Sequence, residues 1–250
     1  MPAERTRVED HRWSDPGVWD VTEFGNGRRV RAFLDDVVNP SLIALDRQIA
    51  DWQERGGGAP FAIADIQALT RQTTQAFCLS IHSLFERQLR RWIAGAVHRF
   101  GPTPERIDVA TNRRLEQLDT LLAETRGIAL RAFDSWDDIS LLELVADACR
   151  HGDGRSAGRL FKLKPHFWPP LYQETPVMPG MRPQVRPTSH PPMDAIEIPR
   201  DQLQRFVEAI DRFWLDVELI HCNSCISPQD AGGWRERQRL LEIHRARRQA

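Results

Sequence analysis

One stretch limits every fold open to this chain. From about Ala62 to Phe100 a helical stripe recurs at offsets of three and four: Ile66, Leu69, Thr73, Phe77, Ile81, Leu84, Phe85, Gln88, Trp92, Ile93 and Ala96. At roughly 1.5 Å per residue, a helix this long spans a whole domain. Its apolar stripe is broad, so more than one partner helix must cover it. Gly101, Pro102 and Pro104 end it.

The flanking sequence supplies those partners. Val30, Phe33, Leu34, Val37 and Val38, then Leu42, Leu45, Ile49 and Trp52, carry helical spacing from about Arg28 to the Gly56–Gly58 run. Pro40 falls inside and either kinks that helix or starts a new one. Shorter helices are expected near Val109–Glu124, then after an N-cap at Asp134 or Ser135 through Ile139, Leu142, Val145 and Cys149. Ser156 is a candidate cap for a further short helix carrying Leu160 and Leu163. Leu203, Phe206, Val207, Ile210, Phe213, Trp214, Val217 and Ile220 mark a strong helix from Asp201 to Ile220. A last one, Trp234–Arg248, is rich in Arg and reads as solvent-facing or only partly docked. With no alternating strand pattern beyond a short candidate at Ala195–Ile198, the fold class is all-α: a multi-helix bundle with one very long central helix.

Four segments follow. Residues 1–27 read as an irregular arm whose tryptophans dock on the body. Residues 28–164 form the bundle. Residues 165–199 hold ten of the seventeen prolines and no helical period, and read as an irregular excursion. Residues 200–250 are C-terminal helices packing on the same domain.

Composition narrows function mainly by exclusion. Lys+Arg is 34 and Asp+Glu 35, a net charge of -1, so no global field draws in nucleic acid. Any such binding must come from a local patch, and nearly all the basic residues are Arg, suited to forked recognition of phosphate. No apolar run approaches the ~18 residues of a membrane span. The charged N-terminus MPAERTRVEDHRW lacks an apolar export segment. The expected location is the cytoplasm, with thiols reduced.

Chemistry gathers at Leu141–Leu163, LLELVADACRHGDGRSAGRLFKL. Glu143, Asp147 and His151 recur every four residues and share a helix face. Arg150 and Arg155 flank the Gly152–Asp153–Gly154 break. The alternative is a plain C-terminal cap, in which a cationic side chain favours the helix dipole. Elsewhere, His82 and Glu86 lie one turn apart, pointing into a cleft or forming an ordinary i,i+4 pair. Arg91 and His98 read as a solvated face. Cys222 and Cys225 form a C-x-x-C after His221. Zinc would need two further ligands, with His244 the one candidate, and a redox pair would sit at a strand–helix junction. The thiols therefore read as buried or incidental, and no metal or cofactor is expected.

Two stretches, SLFERQLRRWI (Ser83–Ile93) and VADACRHGDGRSAGRL (Val145–Leu160), resemble a branch of the HEPN superfamily of helical-bundle proteins. Many members are metal-independent ribonucleases of toxin–antitoxin and phage-defence systems. The family signature is an Arg, a polar residue, three residues and a His. His151 takes the histidine position and Asp147 the polar one, while the arginine position falls on Ala146, so Arg150 or Arg155 would stand in. The resemblance implies a ribonuclease-type effector acting on RNA as a homodimer, with an antitoxin or other partner protein. His151 would be the acid/base, Arg150 or Arg155 the phosphate clamp, and Asp147 and Glu143 supporting carboxylates. The RNA 2′-hydroxyl is a built-in nucleophile, and an imidazole and a guanidinium are the groups such cleavage needs. The competing expectation is a catalytically silent helical interaction or regulatory protein.

Overall fold

The structure is a computed structural model that describes residues 7–14, 16–56, 59–169, 191–225 and 231–249. Among these residues there is no strand, and the fold is all-α. The helices are α1 (Val18–Thr22), α2 (Asn26–Phe33), α3 (Asn39–Arg55), α4 (Ala59–Phe100), α5 (Pro104–Asn112), α6 (Leu115–Arg126), α7 (Trp136–His151), α8 (Arg155–Leu163), α9 (Arg200–Cys225) and α10 (Ala231–Gln249). The 42-residue α4 is the long central helix read from the stripe. The chain divides into two compact units: Met1–Arg31 with Leu84–Ile139 and Val207–Ala250, and Ala32–Ser83 with Ser140–Phe206. Helices α2, α4, α7 and α9 each contribute residues to both.

The first unit is built on aromatic rings. Trp92 meets Trp214 at 5.9 Å, Phe85 meets Phe213 at 5.5 Å, and Phe133 lies 4.7 Å from Phe213. The first two pairs are edge-to-face and the third is tilted, and such aromatic pairs add stabilisation beyond the area they bury. Gln88, a polar residue inside the stripe, is explained here: its Oε1 accepts from Trp214 Nε1 at 3.1 Å, satisfying a buried donor.

Where one helix was expected at Val109–Glu124, there are two. Thr103 caps α5 by accepting from the Arg106 N–H, and Pro104 starts it. The end of α5 is competed away from the helix. Asp108 accepts from Asn112 at 3.0 Å and from Arg113 Nε at 2.6 Å, and Arg113 turns extended. Arg90 of α4, tied to Glu86 at 2.6 Å, donates to the carbonyls of Ala110 and Arg113 that this break leaves open.

The N-terminal arm is less irregular than its composition implies. Val8–Asp10 form a 3-10 turn and Val18–Thr22 a short helix. Trp13 is buried, its N–H donating to Ser224 Oγ at 2.8 Å, while Asn223 Nδ2 reaches the Glu9 carbonyl at 3.0 Å. Helix α10 docks through Leu240 and Leu241 against Leu219 and Cys222, with His244 also buried, and leaves most of its arginines exposed.

In the second unit, Pro40 starts a new helix, the second of the two expected alternatives. A π-helical turn, Leu34–Val38, precedes it, with the Asn39 N–H bonding five residues back to Leu34. That extra residue absorbs the clash a proline imposes one turn earlier, and α3 proceeds with Pro40 in its first turn. Leu42, Cys78, Ile81, Leu142, Val145, Ala146, Leu160, Phe167, Trp168, Ile196, Leu203 and Phe206 are buried in this unit. The expected strand at Ala195–Ile198 does not form. Met193–Ala195 is a 3-10 turn, and Glu197 makes one backbone bond to Phe167 without a ladder. Both described ends of the Pro-rich stretch are fastened: Trp168 Nε1 donates to the Pro192 carbonyl at 3.1 Å, and Gln75 Nε2 to Met193 at 3.1 Å. Residues 170–190 of that excursion lie outside the described residues.

Candidate functional site

Helix α7 buries Leu142, Val145, Ala146 and Ala148 and turns Arg150 and His151 to solvent. Ala146, on the position where the resemblance calls for an arginine, is wholly buried. A guanidinium there could not reach a phosphate without opening the core. Glu143 and Asp147 are half-buried, on the shoulder of the exposed face. Asp147 pairs with Arg150 at 3.7 Å, both side chains 46% exposed, a contact that orients more than it stabilises. His151 is exposed, and no hydrogen bond or ion pair holds its ring among the described residues.

The helix ends as its sequence dictates. The Gly152 N–H donates to Ala148 O at 2.9 Å, and Gly152 adopts φ +64°, the left-handed conformation that stops a helix at glycine. Asp153 then faces away from this role, its Oδ1 accepting from the Met193 N–H at 2.7 Å. Gly154, not Ser156, is the N-cap of α8, and Ser156 lies within the first turn. Arg155 is the first residue of α8 and is exposed. The turn therefore brings Arg150, His151 and Arg155 within six residues of chain, all open to solvent.

Helix α8 extends that group in a way the motif did not announce. Arg155, Arg159 and Lys162 follow an i, i+4, i+7 spacing, share one face, and are all exposed. Ala157 and Leu160 are buried on the opposite side. Among the described residues no carboxylate pairs with Arg155, Arg159 or Lys162. The result is a cationic stripe about 10 Å long on α8 alone, at 1.5 Å per residue, with Arg150 and His151 exposed on the helix that precedes the turn. Leu163, expected to pack, is 59% exposed at its end.

Histidines and acids in the first unit are used differently. Asp20 and Arg126, both fully buried, form a 2.6 Å ion pair. Trp92 Nε1 and the Gly17 N–H also bond to Asp20, at 2.9 and 2.8 Å, and Arg126 lies 4.8 Å over the Trp13 ring. Burial would raise the Asp20 carboxyl. The contacts from His221, Arg126, Gly17 and Trp92 outweigh it and hold Asp20 below the usual carboxylate range. Arg91, expected on a solvated face, forks onto buried Glu23 with both bonds at 2.7 Å. His244 sits between Asp216 at 2.8 Å and Glu9 at 3.2 Å, and the Asp216 bond holds its imidazole above the ordinary value. Among the described residues no three His, Cys, Asp or Glu side chains come together as a metal site, and no helix is long and apolar enough to cross a membrane.

An all-α, multi-helix protein with a cationic elbow between two helices is thus the class that fold and geometry define. No family model, curated protein or solved structure matches the chain.

Proposed function

We propose that the α7–α8 elbow binds the phosphate backbone of RNA and that the protein is a metal-independent, ribonuclease-type effector of a toxin or defence system. The observation that carries this reading is the exposed stripe Arg150, His151, Arg155, Arg159 and Lys162 in a chain whose net charge is only -1. A near-neutral protein that binds a polyanion must concentrate its cations somewhere. In the proposed reaction the RNA 2′-hydroxyl attacks the adjacent phosphorus, and His151 takes its proton. The 5′-oxygen leaves with a proton, and a 2′,3′-cyclic phosphate remains. Arg150 or Arg155 neutralises the phosphorane, and Asp147 restrains Arg150. A second copy of the chain would supply a second elbow and double the local positive charge.

A second reading is favoured by one observation: nothing among the described residues fixes the His151 ring. In that case the same face binds a polyanion without turning it over, and the protein is a helical interaction or regulatory module. One experiment separates the two. Purified protein is incubated with RNA in excess chelator, and the ends are analysed. Cleavage to cyclic-phosphate ends that His151→Ala abolishes, with unchanged circular dichroism, supports the nuclease. RNA binding without cleavage, unaffected by His151→Ala, supports the module. No binding at low salt ends both readings.

A further inference from the structure

The last turn of α9 holds an arrangement unrelated to the cationic elbow. His221 and Cys225 are one helical turn apart. Cys225 Sγ lies 3.4 Å from His221 Nε2 and 3.8 Å from Nδ1. His221 Nδ1 is also 3.8 Å from Asp20 Oδ2. The ring is held edge-on to Phe24 at 5.3 Å and tilted against Trp13 at 6.1 Å. Asp20 cannot swing away, because Arg126, Trp92 and Gly17 all bond to it. Asp20, Phe24 and Trp13 thus converge on a ring that touches an exposed thiol, whereas Cys78 and Cys222 are buried and Cys149 is half-buried.

We propose that Cys225 is a nucleophilic thiol with His221 as its base and Asp20 as the counter-charge of the imidazolium, and that it reacts with low-molecular-weight disulfides. The order of groups sets the direction of proton flow. With a proton on Nδ1 facing Asp20, Nε2 is left unprotonated 3.4 Å from sulfur, and the exposed Cys225 side chain turns onto its lone pair to hand over the S–H proton. The Cys225 S–H proton passes to Nε2 as sulfur attacks one atom of the incoming disulfide. The disulfide S–S bond breaks, and the departing thiolate takes the proton back from the imidazolium. Cys225 ends oxidised as a mixed disulfide, and one thiol is released reduced, so atoms and electrons balance. Disulfide exchange needs no donor pair for an oxyanion; a base, its counter-charge and an open approach are enough.

The thiol is not a preformed thiolate. Burial and the Asp20 charge push Cys225 up, so at neutral pH it carries its proton and depends on the base. The other thiols are worse placed: burial pushes Cys149 up to about 12 and Cys222 up to about 11, and among the described residues neither has a histidine partner. Among the described residues, the charged and titratable groups recorded around His221 are Asp20, with Arg126 behind it, and Cys225 itself.

The test uses the full-length reduced protein and oxidised glutathione, with adducts located by peptide mass mapping. The expected result is an adduct at Cys225 ahead of the other three cysteines, with a rate that falls at least about tenfold in His221→Gln. Cys225→Ser, which leaves the buried network intact, removes the adduct. Should His221→Gln fold poorly, the wild-type pH profile decides. A base-assisted thiol levels off once its base has lost its proton, well before the thiol itself ionises, whereas an unassisted one keeps rising about tenfold per pH unit. A continuous rise, an unchanged rate in folded His221→Gln, or a first adduct at another cysteine overturns the proposal.

Discussion

The Asp20–Arg126 network and the α7–α8 elbow use the same residue types to opposite ends. In the first, carboxylate and guanidinium are fully buried and paired, and a tryptophan N–H, a backbone N–H and an aromatic face pack against them. In the second, Arg155, Arg159 and Lys162 are exposed, and no carboxylate answers them among the described residues. A charge removed from water has to be satisfied by the protein, so its partners are structural. A charge left in water with its donors unspent can be satisfied by a ligand. The contrast makes a claim about mutation: the buried network should govern stability and the elbow should not.

The largest effect is expected at Asp20. Asp20→Ala leaves the Arg126 guanidinium charged and buried, and strips Trp92 of its acceptor. Breaking one side of a buried pair costs about 3–5 kcal/mol, read as a fall in the urea midpoint. A loss under about 1 kcal/mol would mean that this network behaves like a surface pair, and the contrast would collapse.

Gly27→Ala comes next. A Cβ there would run into the Asp211 carboxylate and lie 2.9 Å from its Cα, so backbone, not a mobile side-chain tip, must give way. Overpacking of this kind costs about 1–3 kcal/mol. At Gly152, in the elbow, a Cβ meets nothing within 4 Å, and only the φ of +64° penalises a side chain. The two alanine variants, compared by thermal melting, show whether closeness of packing separates the regions as their charges do.

Smaller again is the pH-dependent part of stability at His244. Its folded pKa is raised by the Asp216 bond, with Glu9 adding to it. The sign follows from linkage. The contribution is fully present below the unfolded histidine pKa, about 6.5, and is lost as pH rises through the higher folded value. Wild type should therefore lose stability relative to His244→Gln as pH climbs through that window. A wild-type-minus-variant difference that stays flat, or grows with pH, would place a neutral ring there. Asp20 has the opposite sign: its pKa is lowered, so its contribution persists at neutral pH and fades only on strong acidification.

How much of this was legible beforehand divides along the same line. The long α4 and the helix of Phe206, Ile210, Phe213 and Val217 were readable because offsets of three and four are a local signal. So were the stops at Gly101 and Gly152. The split at Arg113 was not, because it depends on Asp108 outbidding the helix for Asn112 and Arg113, a choice of side-chain rotamer. Asp20 and Arg126 are 106 residues apart, and no spacing rule joins them. At the elbow, Arg150, His151 and Arg155 stood out through their closeness in sequence. Arg159 and Lys162 carried an equally plain i+4, i+7 signal but lay beyond the family motif. What no pattern contained was exposure, which depends on which side of α8 the core takes. The convergence of Cys225 and His221 on Asp20 was half visible. The i+4 pair lies in the sequence, and the carboxylate arrives from α1.

The smallest stability effect and the sharpest functional one are expected from the same variant, Arg155→Ala/Arg159→Ala/Lys162→Ala. Exposed positions without partners change stability by about 0.5 kcal/mol or less each, so the melting transition should hardly move. RNA binding should weaken, and its salt dependence should flatten. On single strands each lost phosphate contact removes about 0.7 from the slope of log affinity against log salt, so three lost contacts should reduce it by about 2. Fluorescence anisotropy with a short unstructured RNA across a salt series measures both quantities. If the slope is unchanged, the stripe makes no phosphate contacts and the RNA reading fails while the fold stands. If the slope falls but chelator-resistant cleavage by His151 never appears, the elbow is a binding surface and not a reaction centre.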